Sequence, residues 1–295
     1  MMGFDNAYEA ISEDNDEARW AYGTGFVDPL AGLDTTIPSD VDGADLAAYC
    51  LMLGDDALIA SHRLQEWCSH APELEDEVAL ANIGLDLLGQ ARLLLARAGK
   101  ADGSDRDEDA FAYFREERDF RNVRLVEARN GDFAFSMARL LVFSAYRLAL
   151  LDRLSESRDP VLAAVAAKGV KEVRYHRDYA AGWVIRLGDG TELSHERMQA
   201  GLDAVWPLVS ELFQAHPVER RLTEAGVAVD PSTLRAEFDA VIEQVLSAAT
   251  LTLPDVPPLA QVAGMAGRDG IHTEGMGYLL AELQSVARAH PEATW

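Results

Sequence analysis

The chain has 295 residues, 48% of them hydrophobic and 8% aromatic, enough apolar side chain to bury a large core and to exclude wholesale disorder. Its 50 acidic and 26 basic side chains leave a formal charge of −24, a surface that repels nucleic acid and anionic membranes and excludes both as partners. Cys50 and Cys68 stand outside any CxxC pair, so neither a disulfide framework nor a thiolate metal site is expected. Lys100, Lys168 and Lys171 are the only lysines, leaving 26 − 3 = 23 arginines. Such a surface suits a cytosol of molar salt, where the Debye length falls to about 3 Å and self-repulsion is screened. A halophilic source is therefore expected. The N-terminal stretch carries Asp5, Glu9, Glu13, Asp14, Asp16 and Glu17 and has no apolar run, so it does not read as a signal peptide. No stretch reaches the roughly 18 uninterrupted apolar residues of a membrane span, and the expected location is cytoplasmic.

Residues 1–42 are acidic and broken by Gly23, Gly25, Pro29, Gly32 and Pro38, which reads as a partly ordered tail. From residue 43 to 295 the apolar period is helical, in one domain. A first helix is predicted over Asp45–Trp67, with Leu46, Leu53, Leu58, Leu64 and Trp67 inward. A second starts at Pro72, carries Glu73, Glu75, Asp76 and Glu77 at its positive end, and stops near Gly99. A short helix follows over Asp107–Arg115, then long ones over Asp132–Leu154 and Pro160–Leu187, the last closed by Gly188-Asp189-Gly190. Further helices are predicted over Leu193–Phe213, Ser232–Ala248 and Thr273–Ala289, with Leu251–Pro258 as a proline-rich connector. Sustained alternation of period two is missing. The pattern gives an all-α fold, an antiparallel four-helix bundle with extra C-terminal helices.

A long four-helix bundle raises the question of a di-iron or di-manganese centre. Such a centre takes a Glu from each of two helices and a Glu-x-x-His pair from each of the other two, because residues three apart reach one metal pair from one helix face. The second helix offers Asp86-Leu87-Leu88-Gly89, a shortened acid with glycine in place of the histidine. The fourth offers Glu172 and His176, one residue too far apart for the pattern. The third contains no Asp, Glu or His from Phe133 to Leu151. On the first, His62 and Glu66 lie four apart and read as an ordinary helical hydrogen-bonded pair. His62, Glu66, Asp86, Glu172 and His176 are thus candidates only for the remnant of a metal site. A buried Asp86 needs a partner, an arginine or a lysine of the bundle such as Lys168 or Lys171, in a salt bridge that replaces the metals. Catalytic and cofactor-binding residues are not indicated: GxSxG, GxxxxGK[ST] and GxGxxG are all missing. The run Arg115–Arg124, REERDFRNVR, reads as a solvated charged face or, alternatively, as a surface that docks a partner.

Several strings together carry a resemblance. Gly54-Asp55-Asp56-Ala57-Leu58-Ile59, His62-Arg63-Leu64, Leu85-Asp86-Leu87-Leu88-Gly89-Gln90, Arg118-Asp119-Phe120-Arg121-Asn122-Val123, Lys171-Glu172-Val173-Arg174-Tyr175-His176, Gly267-Arg268 and His272-Thr273-Glu274 follow one another as they do in one family. The chain resembles the C subunits of the phenylacetyl-coenzyme A ring-epoxidising oxygenases (phenylacetyl-CoA 1,2-epoxidases) over about Asp45–Trp295. The resemblance implies a ferritin-like fold and a structural role. It implies pairing with a related catalytic A subunit that holds the di-iron centre, with a small bridging B subunit, and with a reductase using FAD, an iron–sulfur cluster and NADPH. This chain itself would carry no cofactor. The alternative is a di-metal oxidase active in its own right through His62, Glu66, Asp86, Glu172 and His176.

Overall fold

A computed structural model describes residues 32–293, and the predicted tail lies largely outside the described residues. Residues 32–42 lie against the helices: the Thr35 carbonyl accepts from Arg97, 2.5 Å, and Asp40 pairs with Arg158, 2.9 Å. Among the described residues the only β feature is an isolated bridge between Val262 and Met265, so the fold is helical as the periodicity predicts.

Four long helices form the bundle: α1 (Gly43–Gln65), α2 (Leu74–Ala101), α5 (Phe133–Leu154) and α6 (Pro160–Gly188). Short polar side chains set three of their starts. The Asp42 carboxylate accepts from the N–H groups of Ala44 and Asp45, that of Asp132 from Phe135, and that of Asp159 from Leu162 ahead of the first-turn proline Pro160. Two predicted bounds shift. Helix α2 begins at Leu74, after a turn in which His70 and Ala71 both donate to the Trp67 carbonyl, so Pro72 precedes the helix. Gly99 does not end α2, which continues to Ala101. A Cβ at Gly99 would run into the Arg106 carbonyl, so this glycine serves the close return of the chain.

Ser61 of α1 donates to the Gly84 carbonyl of α2 while Gly54 faces Leu94 and Leu95, which makes the α1–α2 pair antiparallel. Phe133 meets Trp183, and Gly169 meets Leu151, which makes α5–α6 antiparallel as well. Residue 101 ends beside Gly43 at one end of the bundle, whereas Phe133 begins beside Trp67 at the other. The intervening chain therefore runs the length of the bundle, about 40 Å for a helix such as α2. One such long crossover is the connectivity of ferritin-like bundles. The crossover holds α3 (Glu108–Tyr113), a single 3₁₀ turn and α4 (Arg124–Glu127).

The C-terminal third adds α7 (Glu192–Val205), a 3₁₀ segment Trp206–Phe213, α8 (Pro217–Glu224), α9 (Arg235–Ala248) and α10 (Glu274–Ala289). The predicted helix Leu193–Phe213 is thus α as far as Val205 and 3₁₀ beyond it, the change falling at Trp206-Pro207, where proline removes a donor. Helix α8 has no counterpart among the predicted elements, its eight residues being too few to show a period. These elements cover α1, α5 and one side of α6, and leave α2 and the outer side of α6 exposed. Of the 22 residues of α5, 18 are buried, against 10 of the 29 in α6. Helices α2 and α5 are long and apolar enough to cross a membrane by length and composition, but the apolar window of α5 is 94% buried inside the molecule. It is the central core helix.

Candidate functional site

The bundle centre is built from all four long helices. Leu53 of α1 brings a backbone carbonyl, Gln90 of α2 an amide, Arg147 of α5 a guanidinium and Glu172 of α6 a carboxylate. Arg147 Nε donates to Gln90 Oε1 at 2.9 Å and Nη1 to the Leu53 carbonyl at 3.4 Å. Gln90 Nε2 in turn donates to Glu172 at 2.8 Å, so the amide relays the cation to the carboxylate. The other Glu172 oxygen meets Lys168 at 3.5 Å. Arg147 is fully buried. Burial pushes its pKa down to about 10, with the charges of Asp56 and Tyr146 working the other way, so it remains protonated at neutral pH. Its Nη2 has no hydrogen-bond partner.

Asp86 and His176 bind each other one helical turn away, Nε2 to Oδ2 at 3.0 Å. A histidine thus stands in place of the expected arginine or lysine partner of Asp86. Lys168 is 61% exposed and turned to Glu172, whereas the imidazole of His176 lies buried beside the aspartate. Further along, Asp76 accepts from the Tyr179 hydroxyl at 2.8 Å and the Trp183 indole at 3.0 Å. The expected His62–Glu66 pair does not form either. The Glu66 carboxylate takes Arg63 at 2.5 Å and Asn130 at 2.9 Å, because those donors converge on it from α1 and the crossover.

The residues present do not fit a di-metal centre. A guanidinium has five donors and no lone pair to give a metal, and it stands where inward carboxylates would have to meet. Helix α5 adds Arg139 as a second buried cation, its pKa lowered to about 9 by burial and by the neighbouring Arg63. At Gly89 an added Cβ would meet nothing within 4 Å, so room exists but the imidazole does not. Of the five remnant candidates, Asp86 and His176 are brought together and Glu172 lies one turn away. His62 and Glu66 are not part of this group. Among the described residues no cluster of three or more His, Cys, Asp or Glu could hold a metal ion.

A second polar region, outside the metal-ligand pattern, lies between α1 and the chain that wraps it. Asp55 accepts from Arg115, one contact at 3.0 Å, and from the Arg121 N–H at 2.8 Å. Asp56 accepts from Arg268 at 2.8 and 3.0 Å and from the Val123 N–H at 2.8 Å. Glu211 takes Arg124 at 2.7 Å and the Gly267 N–H at 2.9 Å. Glu127 takes His272 at 2.7 Å, Asn122 at 3.0 Å and the Thr273 N–H. Arg115 and Arg124 are therefore the buried ends of the REERDFRNVR run and tie the crossover to α1 and to the C-terminal segment, while Glu116 to Asp119 between them are exposed, as the solvated-face reading expects. The signal for this region in the sequence is a pair of adjacent aspartates, Asp55-Asp56, inside an otherwise apolar helix stretch.

His272 sets Nδ1 2.7 Å from the Glu127 carboxylate and Nε2 3.2 Å from the Phe120 carbonyl, two acceptors that together favour the charged imidazolium. Burial works against this charge, but the hydrogen bond and charge of Glu127 and the Phe120 carbonyl outweigh it, and the pKa is raised.

Gly54-Asp55-Asp56, Arg118–Val123, Gly267-Arg268 and His272-Thr273-Glu274 all meet in this clamp, whereas Asp86, Gln90, Glu172 and His176 meet in the bundle. The chain is 48% identical over 250 residues to the C subunit of 1,2-phenylacetyl-CoA epoxidase of Escherichia coli (strain K12), the match covering 85% of this chain and 99% of that relative. Residues 33–295 match the family described as phenylacetic acid catabolic protein. With its bundle, its single long crossover and a match across nearly all of the described chain, this protein belongs to the phenylacetic acid catabolic protein family.

Proposed function

We propose that this chain is a structural, non-catalytic subunit of a phenylacetyl-CoA epoxidase, holding a related catalytic subunit in its working geometry. The observation that carries this reading is the bundle centre. Where a di-metal oxygenase needs carboxylates from four helices, this chain has Arg147 bound through Gln90 to Glu172. The chemistry then belongs to the partner, a catalytic A subunit with a di-iron centre, supplied with electrons by a reductase carrying FAD and an iron–sulfur cluster and drawing on NADPH. A small B subunit bridges the assembly. The 48% identity to the C subunit of the Escherichia coli epoxidase supports this placement. A scaffold must hold its partner's site to within about 0.5 Å, which asks for a rigid body. Buried ion pairs such as Arg268–Asp56 and Arg124–Glu211 lock crossover and C-terminal segment into one. The charge of −24 on three lysines supports work in the cytosol of a salt-adapted cell.

Iron content and co-purification test the reading together. The chain produced alone in iron-rich medium should carry only trace iron and no epoxidase activity, and should co-purify with the catalytic subunit when the two are co-expressed. Two irons per chain, or no retention of the catalytic subunit, would overturn it.

A further inference from the structure

The C-terminal elements cover α1 and α5 but leave the outer sides of α2 and α6 open, and α6 differs in charge from the rest of the molecule. It carries Lys168, Lys171, Arg174, Arg177 and Arg186 against Glu172 and Asp178, 5 − 2 = +3 on a chain of −24. Helix α2 has four acidic and three basic residues, 3 − 4 = −1, and the positive excess of α5 comes from Arg139 and Arg147, both buried. Lys168, Lys171 and Arg174 are exposed and follow one another three residues apart, which places their side chains as neighbours on one flank. Lys168 shares Glu172, whose second oxygen is drawn inward to Gln90. Asp178, on the same side, is taken by Arg177 at 2.8 Å. Among the described residues Lys171 and Arg174 enter no ion pair.

The flank is also apolar at intervals. Tyr175 lies among these cations and is 51% exposed. On α2, Leu74 and Val78 are 72% and 53% exposed and, four residues apart, share one side of the helix. Gly89 and Gly182 add open space where a neighbouring backbone can come close. Lys171 and Arg174, without ion pairs of their own, repel each other and Lys168, and opposed carboxylates would relieve that repulsion. On a surface acidic elsewhere, one basic flank selects the face that an acidic partner meets and fixes its register.

We propose that the outer α2–α6 face is the docking surface for an acidic helical face of the catalytic partner subunit, with Lys168, Lys171 and Arg174 as charge contacts and Leu74, Val78 and Tyr175 as apolar anchors. The proposal rests on the structural-subunit reading. Contacts desolvated in this way persist in salt that screens exposed charges.

The test uses the full chain with the catalytic subunit, their affinity being measured by sedimentation at graded KCl. The triple variant K168E/K171E/R174E should bind about a hundredfold more weakly or worse while keeping its helical circular dichroism, because reversed charges meet like charges. The milder K171Q/R174Q should lose about tenfold and show a shallower salt dependence, and keeps the test decisive if the triple variant does not fold. Arg235→Glu, an exposed change on α9, should leave affinity unchanged. Wild-type chain that fails to bind the catalytic subunit overturns the structural-subunit reading and this face with it. Wild type and both flank variants binding equally well overturns the face alone. A wild-type chain that dimerises by itself and is made monomeric by the triple variant shows the occupant to be a second copy, which also overturns the proposal.

Discussion

Arg147 and His272 show how single side chains take over work that a metal or a disulfide does elsewhere. The guanidinium of Arg147 joins α1 and α2 directly, and α6 through Gln90, from a fully buried position, so its removal leaves Gln90 and the Leu53 carbonyl facing a void. Arg147→Ala should cost on the order of 3–5 kcal/mol in urea unfolding. Arg147→Met should cost less than half of that, because the thioether refills the volume without a charge to desolvate. Against the cost of burial, Glu127 and the Phe120 carbonyl raise the pKa of His272. Its contribution is full below the unfolded value of about 6.5 and is lost as pH rises through the raised folded value. Wild-type stability should therefore fall between about pH 6.5 and the folded pKa, and His272→Gln should flatten that part of the curve in chemical unfolding.

At the scale of elements, the connection between the C-terminal segment and α1 runs through a few backbone positions that admit no side chain. A Cβ at Gly267 would strike the Asn122 carbonyl, and the Gly267 N–H would be pulled from Glu211. Gly267→Ala should cost about 2 kcal/mol or more and should raise amide hydrogen exchange in α10 before it does so in α5. Uniform exchange across both helices would mean that the clamp and the bundle unfold as one unit. In sequence the crossover reads as a short helix followed by a charged run, and the helix is there, from Glu108 to Tyr113. The destination of the charges is not legible, because a charge-dense run looks alike whether its partners are water or the buried Asp55 and Glu211. The long helices are legible to within two residues at most ends, their periods and aspartate caps being local properties.

The whole molecule combines an acidic exterior with arginine-rich buried pairs. Self-repulsion at −24 should make the chain less stable in dilute buffer than in molar KCl, and thermal unfolding over a KCl series should show the melting temperature rising with salt. A flat response would remove the case for salt adaptation. The sequence by itself determined the helical class, the positions of the four long helices and the failure of the Glu-x-x-His pattern, since each follows from spacing along one chain segment. Only the tertiary structure decided that Arg147 fills the centre, that Asp86 binds His176 and not a lysine, and that Asp55 and Asp56 receive Arg115 and Arg268. Those pairings join residues tens to hundreds of positions apart, from 57 for Gln90–Arg147 to 212 for Asp56–Arg268. The partner of a buried charge is set by which helices pack together, which no local period records.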